Sequence, residues 1–170
     1  MPNDERSSVD LSEMVVEVTQ WFTAPISEVW ALLSNVERMA GLGPEHVEAH
    51  WLDPGPMVGA RFTGKNCRDG FEWEVPCHII ECDPPLRLTW TVLEPENPSS
   101  VWSYSLTPER EGTSVVQRFC HGPNYSFIRL WAEEQPERAA EIVRVRMDGL
   151  RADMKATLVN AARQLSHQDG

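Results

Sequence analysis

The sequence predicts an α+β protein, in which an antiparallel β-sheet is crossed by one long C-terminal helix. Two observations indicate this class. Short segments that alternate apolar and polar residues are separated by turn-forming sequences such as DPP at 83–85 and EREG at 109–112. From about residue 136 to 165, by contrast, apolar residues recur every three or four positions, which is the spacing of an amphipathic helix.

A strand and two short helices are expected first. The sequence MVVEVTQWF at 14–22 alternates in the manner of a strand. Pro25 suits the first position of a helix, where its missing N–H is harmless, and the apolar residues after it recur at helical spacing as far as Leu33. Asn35 is a suitable N-cap for a second short helix, which Gly41 would end.

Five or six further strands are predicted after these helices. Turn sequences separate them, so strands that are neighbours along the chain are expected to pair antiparallel. Their expected ranges are 46–52, 58–66, 71–82, 87–93, 100–107 and 113–121. The final helix, of about 28 residues, would be roughly 42 Å long at 1.5 Å per residue, which is enough to cross the whole sheet.

Hairpin geometry predicts which side chains share a face of the sheet. Directly opposed residues in an antiparallel hairpin share a face, and their sequence numbers have a constant sum. This sum is odd for either turn length possible at 67–70, so even-numbered residues before the turn share a face with odd-numbered residues after it. The same argument applies at the DPP and EREG turns, and charged or small polar residues fall on the other face. The inward face then combines aromatic, apolar and polar residues: Trp51, Phe62, Trp73, Val75, Trp90, Trp102, Tyr104 and Phe119, with Gln20, Asn66, Gln117 and His121.

The polar residues on this face leave two interpretations open. In one, they are satisfied within a close-packed core, with Gln20 bonded to Gln117 and with Asn66 and His121 reaching water at strand ends. In the other, the face lines a cavity with aromatic walls and a few polar groups, as small-molecule sites do. The predicted ligand-binding set is then this inward face together with three helix residues, namely Met147, Leu150 and Met154.

The composition limits the class of partner. The chain has 15 Lys and Arg against 26 Asp and Glu, a net charge of −11, so neither nucleic acid nor stable membrane association is expected. A cytoplasmic location follows from the lack of a signal-like segment or a long apolar run. The length of 170 residues fits one domain, expected at 13–166 between loose ends at 1–12 and 167–170. A monomer or a homodimer is expected.

Few groups suggest reactive chemistry. Cys77 and His78 are adjacent in a predicted strand, so their side chains point to opposite faces and cannot act as a nucleophile and base pair. The four cysteines have no spacing typical of a metal site or a disulfide framework, so no metal and no cofactor are expected. The histidines outside the inward face, His46, His50 and His78, are expected in loops or on the wet face.

Three segments resemble a known family: FTAPISEVWALLSNVERMAG at 22–41, WLDPGPMVGARFTG at 51–64 and ECDPPLRLTWTV at 81–92. Together with the terminal helix they are similar to the START-like, or SRPBCC, superfamily, in the branch of polyketide cyclase/dehydrase and lipid-transport proteins. The resemblance covers about residues 14–165. It implies the helix-grip fold, a curved antiparallel sheet with two short helices after the first strand and a long C-terminal helix across it, enclosing a cavity.

This resemblance leaves the function open, because the fold hosts several activities. The first hypothesis is binding of a hydrophobic, aromatic or polycyclic small molecule or lipid in the cavity. The alternative is a metal-independent cyclase or dehydratase, in which His121 would act as general acid/base and Tyr104 would donate a hydrogen bond to a developing enolate. A third hypothesis is an interaction protein that resembles the Hsp90-ATPase activators of the superfamily.

Overall fold

The computed structural model describes residues 9–167. Strand β1 (Val15–Phe22) is followed by helices α1 (Ile26–Leu33) and α2 (Val36–Met39). Helices α3 (Phe127–Glu134) and α4 (Ala139–Ser166) complete the chain, with a short 3-10 turn between them. Six strands lie between α2 and α3: β2 (His46–Trp51), β3 (Arg61–Arg68), β4 (Phe71–Asp83), β5 (Arg87–Val92), β6 (Ser100–Glu109) and β7 (Gly112–His121). The predicted α+β class and helix-grip architecture are confirmed.

The strands form one antiparallel sheet of seven strands in the order β1-β7-β6-β5-β4-β3-β2. The sheet is curled into a half-barrel, so β1 and β2 are its two edges. Phe62 lies opposite Cys77 in the β3–β4 pair, and Tyr104 lies opposite Gln117 in the β6–β7 pair. The register inferred from the hairpin turns is therefore confirmed for these two pairs, whereas the β4–β5 pair has a register shift between Ile79 and Glu81, beyond which Trp90 still lies opposite Ile79.

Helix α3 and the segment before β1 differ from the sequence-based expectation. Ser126 caps α3 by accepting a hydrogen bond from the Arg129 backbone N–H, and only two residues of this short helix are buried, which is too few to give a recognisable period. Leu11 is 4% exposed and belongs to the core, although it fell within the predicted loose end. Of the predicted loose ends, residues 1–8 and 168–170 lie outside the described part of the chain.

Helix α4 buries a stripe along one side. The stripe follows the predicted spacing of three or four and consists of Leu150, Met154, Leu158, Ala161 and Leu165. Its first turns depart from the prediction, because Val143 and Met147 line a separate surface groove against residues 9–14. None of the helices within residues 9–167 is long and apolar enough to cross a membrane.

Two different kinds of contact hold α4 across the open side of the half-barrel. Along one edge of the sheet it packs against β1. Along the other it is bound to the segment 42–46 by polar contacts that we call the α4 clasp. The clasp consists of the Arg146 guanidinium on the Glu45 carboxylate, with one N–O distance of 2.8 Å, the Glu45 backbone N–H on Asp153 Oδ1 at 2.9 Å, and Asn160 Nδ2 on the Leu42 carbonyl at 2.6 Å.

A glycine lets the clasp segment approach α4 closely. A Cβ atom at Gly43 would collide with the side chain of Thr157. Glycine therefore allows this approach without moving the side chain of Thr157.

The buried stripe of α4 predicts a large effect of truncation at its centre. Leu158→Ala is expected to lower the free energy of unfolding by about 2–5 kcal/mol, because Leu158 is fully buried and its loss leaves a void. Val145→Ala is the matched control, since Val145 is 48% exposed on the same helix and should change stability by less than about 0.5 kcal/mol. Urea denaturation measures both, and equal effects of the two variants would contradict the packing described.

Candidate functional site

A cavity of about 140 Å³ lies between the inner face of the sheet and α4. Leu33 of α1 and Met39 of α2 close one side of it, and Leu150 and Asp153 of α4 cover it. Eight of the residues predicted to bind a ligand line this cavity: Phe62, Asn66, Val75, Trp90, Trp102, Tyr104, Gln117 and Leu150.

The walls of the cavity are mainly aromatic. The rings of Trp90 and Trp102 are nearly parallel, with an interplanar angle of 7° and centroids 6.3 Å apart. Tyr104 is next to them, with its ring centroid 5.2 Å from that of Trp90. These three residues come from the paired strands β5 and β6, so the pleat brings their side chains to the same face.

Seven residues of the predicted set lie outside this cavity: Gln20, Trp51, Trp73, Phe119, His121, Met147 and Met154. Trp51 packs edge-on against Phe62 with centroids 5.5 Å apart, and Phe119 packs in the same way behind Trp102 at 4.9 Å. Met154 is buried in the core of the α4 stripe. Trp51 and Phe119 are therefore on the inward face, but they support the walls from behind Phe62 and Trp102.

Trp73 belongs to a group of aromatic side chains at the tip of the β3–β4 hairpin. It lies opposite Asn66, the last residue of β3 that lines the cavity, and is therefore just beyond the end of the cavity. Its ring stacks on Phe71 at 5.8 Å and meets Phe127 of α3 edge-on at 6.3 Å. Phe71 and Trp131 in the same group are about half exposed.

His121 has both ring nitrogens bonded to the protein. Nδ1 donates to the Gly122 carbonyl at 2.6 Å, since a carbonyl oxygen can only accept, and Nε2 is 2.6 Å from Ser126 Oγ. Burial lowers the pKa of this imidazole, so it is neutral at pH 7 and Nε2 accepts from the serine hydroxyl. The ring thereby joins the end of β7 to the cap of α3. The predicted role of His121 as general acid/base finds no support in this position.

His46 lies in the cavity wall, although it was expected in a loop or on the wet face. Its Nδ1 is 3.3 Å from Asn66 Oδ1. A β-bulge between His46 and Glu48 inserts one residue. His46 therefore shares the inward face with Ala49 and Trp51, although it is an odd number of residues away from both. Simple alternation back from Trp51 would turn His46 outward, which is why the sequence pattern missed it.

Tyr104 contributes a neutral hydroxyl near Asp153 in the wall of the cavity. Burial, with a smaller contribution from the nearby Asp153 carboxylate, raises the pKa of Tyr104 well above its ordinary value. Burial likewise raises the pKa of Asp153, although the Glu45 backbone N–H bonded to that carboxylate opposes the shift. The surroundings of Tyr104 and Asp153 therefore disfavour negative charge, and Tyr104 remains a hydrogen-bond donor at neutral pH.

Gln117 carries a buried acceptor that has no partner within residues 9–167. The side chain is 5% exposed, and its Oε1 makes no hydrogen bond. The bond to Gln20 that the close-packed interpretation required is not formed, because Gln20 Nε2 donates to the Trp21 carbonyl at 2.9 Å. An unpaired buried acceptor destabilises a fold by about 1–3 kcal/mol. Gln117 Oε1 is thus enclosed by its neighbours and has no partner within residues 9–167.

Cys77 also lines the cavity, and it is chemically inert there. Burial raises the pKa of its thiol to about 12, so almost no thiolate exists at neutral pH. His78 is on the opposite face of β4, opposite Arg61, so the two side chains diverge as predicted. Among residues 9–167, no group of three or more His, Cys, Asp or Glu side chains is arranged to hold a metal ion.

The burial of His46 predicts a pH dependence of stability. Burial lowers the pKa of its imidazole below the ordinary 6.5, although Asn66 and Glu45 oppose the shift. The unfolded chain therefore binds this proton more readily, so the stabilisation is fully present above about pH 6.5 and is lost as the pH falls through the folded-state pKa. Acidification below about pH 6.5 is expected to destabilise the wild type more steeply than His46→Gln, as measured by urea denaturation across pH. An NMR titration that gives His46 a folded-state pKa above 6.5 would contradict this.

Comparison with known proteins agrees with this architecture. The fold is similar to that of the Polyketide_cyc-like protein Cgl2372 from Corynebacterium glutamicum, with 27% sequence identity, a TM-score of 0.65, and coverage of 91% of this chain and 93% of that chain. Protein Ms6760 from Mycobacterium smegmatis shares 19% identity at a TM-score of 0.60, with 94% of this chain and 95% of that chain covered.

A further structural neighbour is the di-domain ARO/CYC StfQ from the steffimycin biosynthetic pathway. It shares 15% identity at a TM-score of 0.72, with 92% of this chain and 52% of that chain covered. At this identity the likeness establishes the fold alone. No curated protein matches this sequence.

The family assignment rests on the sequence match itself. Residues 13–155 match the family described as Polyketide cyclase / dehydrase and lipid transport. This range includes every strand of the curled sheet and more than half of α4, and therefore nearly all of the cavity wall. The chain belongs to the polyketide cyclase/dehydrase and lipid transport family of SRPBCC proteins.

Proposed function

We propose that this protein binds a small hydrophobic compound with one aromatic ring in the cavity beneath α4. The observation that carries the proposal is the cavity itself, which has aromatic walls and a few polar groups. The family to which the chain belongs includes proteins of lipid transport, which is consistent with an apolar ligand.

The volume of the cavity sets the size of the ligand. An apolar cavity of roughly 150 Å³ is known to hold benzene, so the 140 Å³ found here suits a single ring. Sites for larger, drug-sized ligands measure about 300–1,000 Å³. A polycyclic compound or a lipid would therefore require α4 or the aromatic walls to move outward, whereas a single ring requires no rearrangement.

Filling the cavity with a side chain should abolish binding. Val75→Phe places a ring in the cavity. We use toluene as a single-ring probe and expect its binding to weaken at least about tenfold, because even one extra methylene group in a packed site costs binding free energy. Val116→Phe is the matched control, since Val116 is partly exposed on the outer face of β7 and should leave binding unchanged. Saturable shifts in ¹H–¹⁵N NMR spectra measure binding. Equal binding by both variants, or no saturable binding by the wild type, would refute the proposal.

A second candidate function is cyclisation or dehydration of a poly-carbonyl substrate. The observation in its favour is that a neutral imidazole, His46, and a neutral phenol, Tyr104, line the same cavity. The imidazole can accept a proton from carbon, and the phenol can donate a hydrogen bond to the developing enolate oxygen. His46 takes the place that the sequence suggested for His121. No observation on residues 9–167 favours the third hypothesis, an interaction protein.

The two tyrosines of the chain provide a matched test of this second candidate. Tyr104→Phe should reduce turnover of a poly-β-carbonyl thioester about 10²-fold or more, because it removes a donor to the oxyanion. Tyr125→Phe, at a half-exposed position outside the cavity where the ring packs against Phe127, should leave turnover unchanged. The assay is product formation, with circular dichroism to verify folding. Wild-type turnover in Tyr104→Phe would exclude this role.

A further inference from the structure

Three separate features of the fold place the imidazole of His46 in the cavity wall. The bulge in β2 turns this side chain to the inward face. Gly64 on β3 leaves room for the ring, since a Cβ atom there would lie only 3.1 Å from His46 Cε1. Carbon atoms normally pack about 3.5–4.0 Å apart. Asn66, two residues further along β3, anchors the ring, with 3.3 Å between His46 Nδ1 and Asn66 Oδ1. All three residues line the cavity, so the imidazole is held at a defined place in its wall.

Asn66 determines which ring nitrogen of His46 carries the proton. An amide oxygen can only accept, so Nδ1 donates to Asn66 Oδ1. Burial lowers the pKa of the imidazole, so the ring is neutral at pH 7 and has a single N–H. Nε2 is therefore an unprotonated acceptor. It has no hydrogen-bond partner within residues 9–167, and unlike Gln117 Oε1 it is not enclosed by its neighbours.

We propose that His46 Nε2 is the hydrogen-bond acceptor that recognises the ligand, and that Asn66 is the positioning residue that keeps this nitrogen unprotonated. The cavity then prefers neutral aromatic compounds that carry a hydroxyl group. The inference rests on the proposed binding function and specifies its ligand class. A ligand hydroxyl donates a hydrogen bond to Nε2, whereas a purely hydrocarbon ring displaces water from the cavity and leaves this nitrogen unpaired.

The rest of the lining suits a neutral ring. Trp90 and Trp102 supply aromatic surface, against which another aromatic ring packs favourably. The lining contains Glu45 and Asp153 but neither Lys nor Arg, so a carboxylate ligand gains no cationic partner from it. Asp153 is the other candidate acceptor, but its Oδ1 already accepts the Glu45 backbone N–H at 2.9 Å in the α4 clasp. The fold positions His46 Nε2 without such a partner among the described residues.

The tautomer of His46 is tested first, because this measurement needs no ligand. Long-range ¹H–¹⁵N NMR correlation spectra distinguish a protonated ring nitrogen from an unprotonated one. In the wild type the proton is expected on Nδ1. Asn66→Leu removes the acceptor, so in part of the population the proton should move to Nε2. Asn66→Asp restores an acceptor oxygen and should return the proton to Nδ1 at a pH that keeps the ring neutral.

Asn97→Leu is the matched control for this measurement. Asn97 is exposed in the loop between β5 and β6 and lies outside the cavity, so its replacement should leave the tautomer of His46 unchanged. A proton on Nε2 in the wild type, or the same tautomer in Asn66→Leu as in the wild type, would overturn the role of Asn66.

Recognition is tested with phenol and toluene, which have nearly the same shape and differ in a hydroxyl against a methyl group. Dissociation constants come from ¹H–¹⁵N NMR titrations of the wild type, His46→Phe and His46→Leu. The phenol-to-toluene affinity ratio is compared between proteins, because this comparison cancels the different hydration of the two probes. The ratio is expected to fall about two- to tenfold in both His46 variants, the value of one hydrogen bond. Asn66→Leu should lower it less, because only the molecules with the proton on Nε2 lose the acceptor.

The outcomes separate this inference from the proposed function. An unchanged ratio in both His46 variants, with toluene still bound by the wild type, overturns the role of His46 and leaves the proposed function intact. A ratio that falls in Asp153→Asn but not in the His46 variants assigns the hydroxyl to Asp153 and overturns that role equally. Benzoate binding as tight as phenol binding overturns the preference for neutral ligands. Failure of the wild type to bind either probe overturns the proposed function, and the ligand class with it.

Discussion

Helix α4 is held at the two edges of the sheet, and the cavity exists because of this arrangement. At one edge the helix packs on β1, and at the other the α4 clasp ties it to the segment before β2. Between these edges the sheet curls away from the helix. The Arg146–Glu45 pair is well placed for this task, because its side chains are only 20% and 13% exposed and form two hydrogen bonds. A helix packed onto the central strands would have filled the space in which the cavity lies.

The polar atoms beneath α4 are consequently few and specific. Most of the buried interior is aliphatic or aromatic, as a stable core requires. Gln117, Tyr104 and His46 depart from that rule, and all three line the same cavity. Departures of this kind are expected where a protein keeps groups for a function at the expense of some stability. Their convergence on one cavity is more informative than the presence of any one of them.

The sequence predicted which face of the sheet each side chain is on far better than whether that side chain lies within the cavity. Tight turns set the register of β3–β4 and β6–β7, so the alternation assigned Phe62, Tyr104 and Gln117 to the correct face. The inward face is longer than the cavity, however, and α4 covers only its middle. Trp73 and His121 are therefore on the expected face but beyond the cavity, because no sequence pattern records where the helix crosses. His46 was missed for a different reason, since a bulge in β2 reversed its alternation.

Helix α4 is held at the edges of the sheet, whereas the cavity is lined largely by the strands between them. This arrangement affects how such a protein can change through evolution. Substitutions at Val75, Trp90 or Gln117 on the strands alter the shape and polarity of the cavity without touching the clasp, whose Glu45 and Asp153 are the residues that both line the cavity and hold α4. Mutations with effects on different sets of contacts tend to act independently. New ligand preferences can therefore arise by replacing wall residues one at a time while the helix stays in place. This independence gives a physical reason why one architecture supports carriers and enzymes with unrelated substrates.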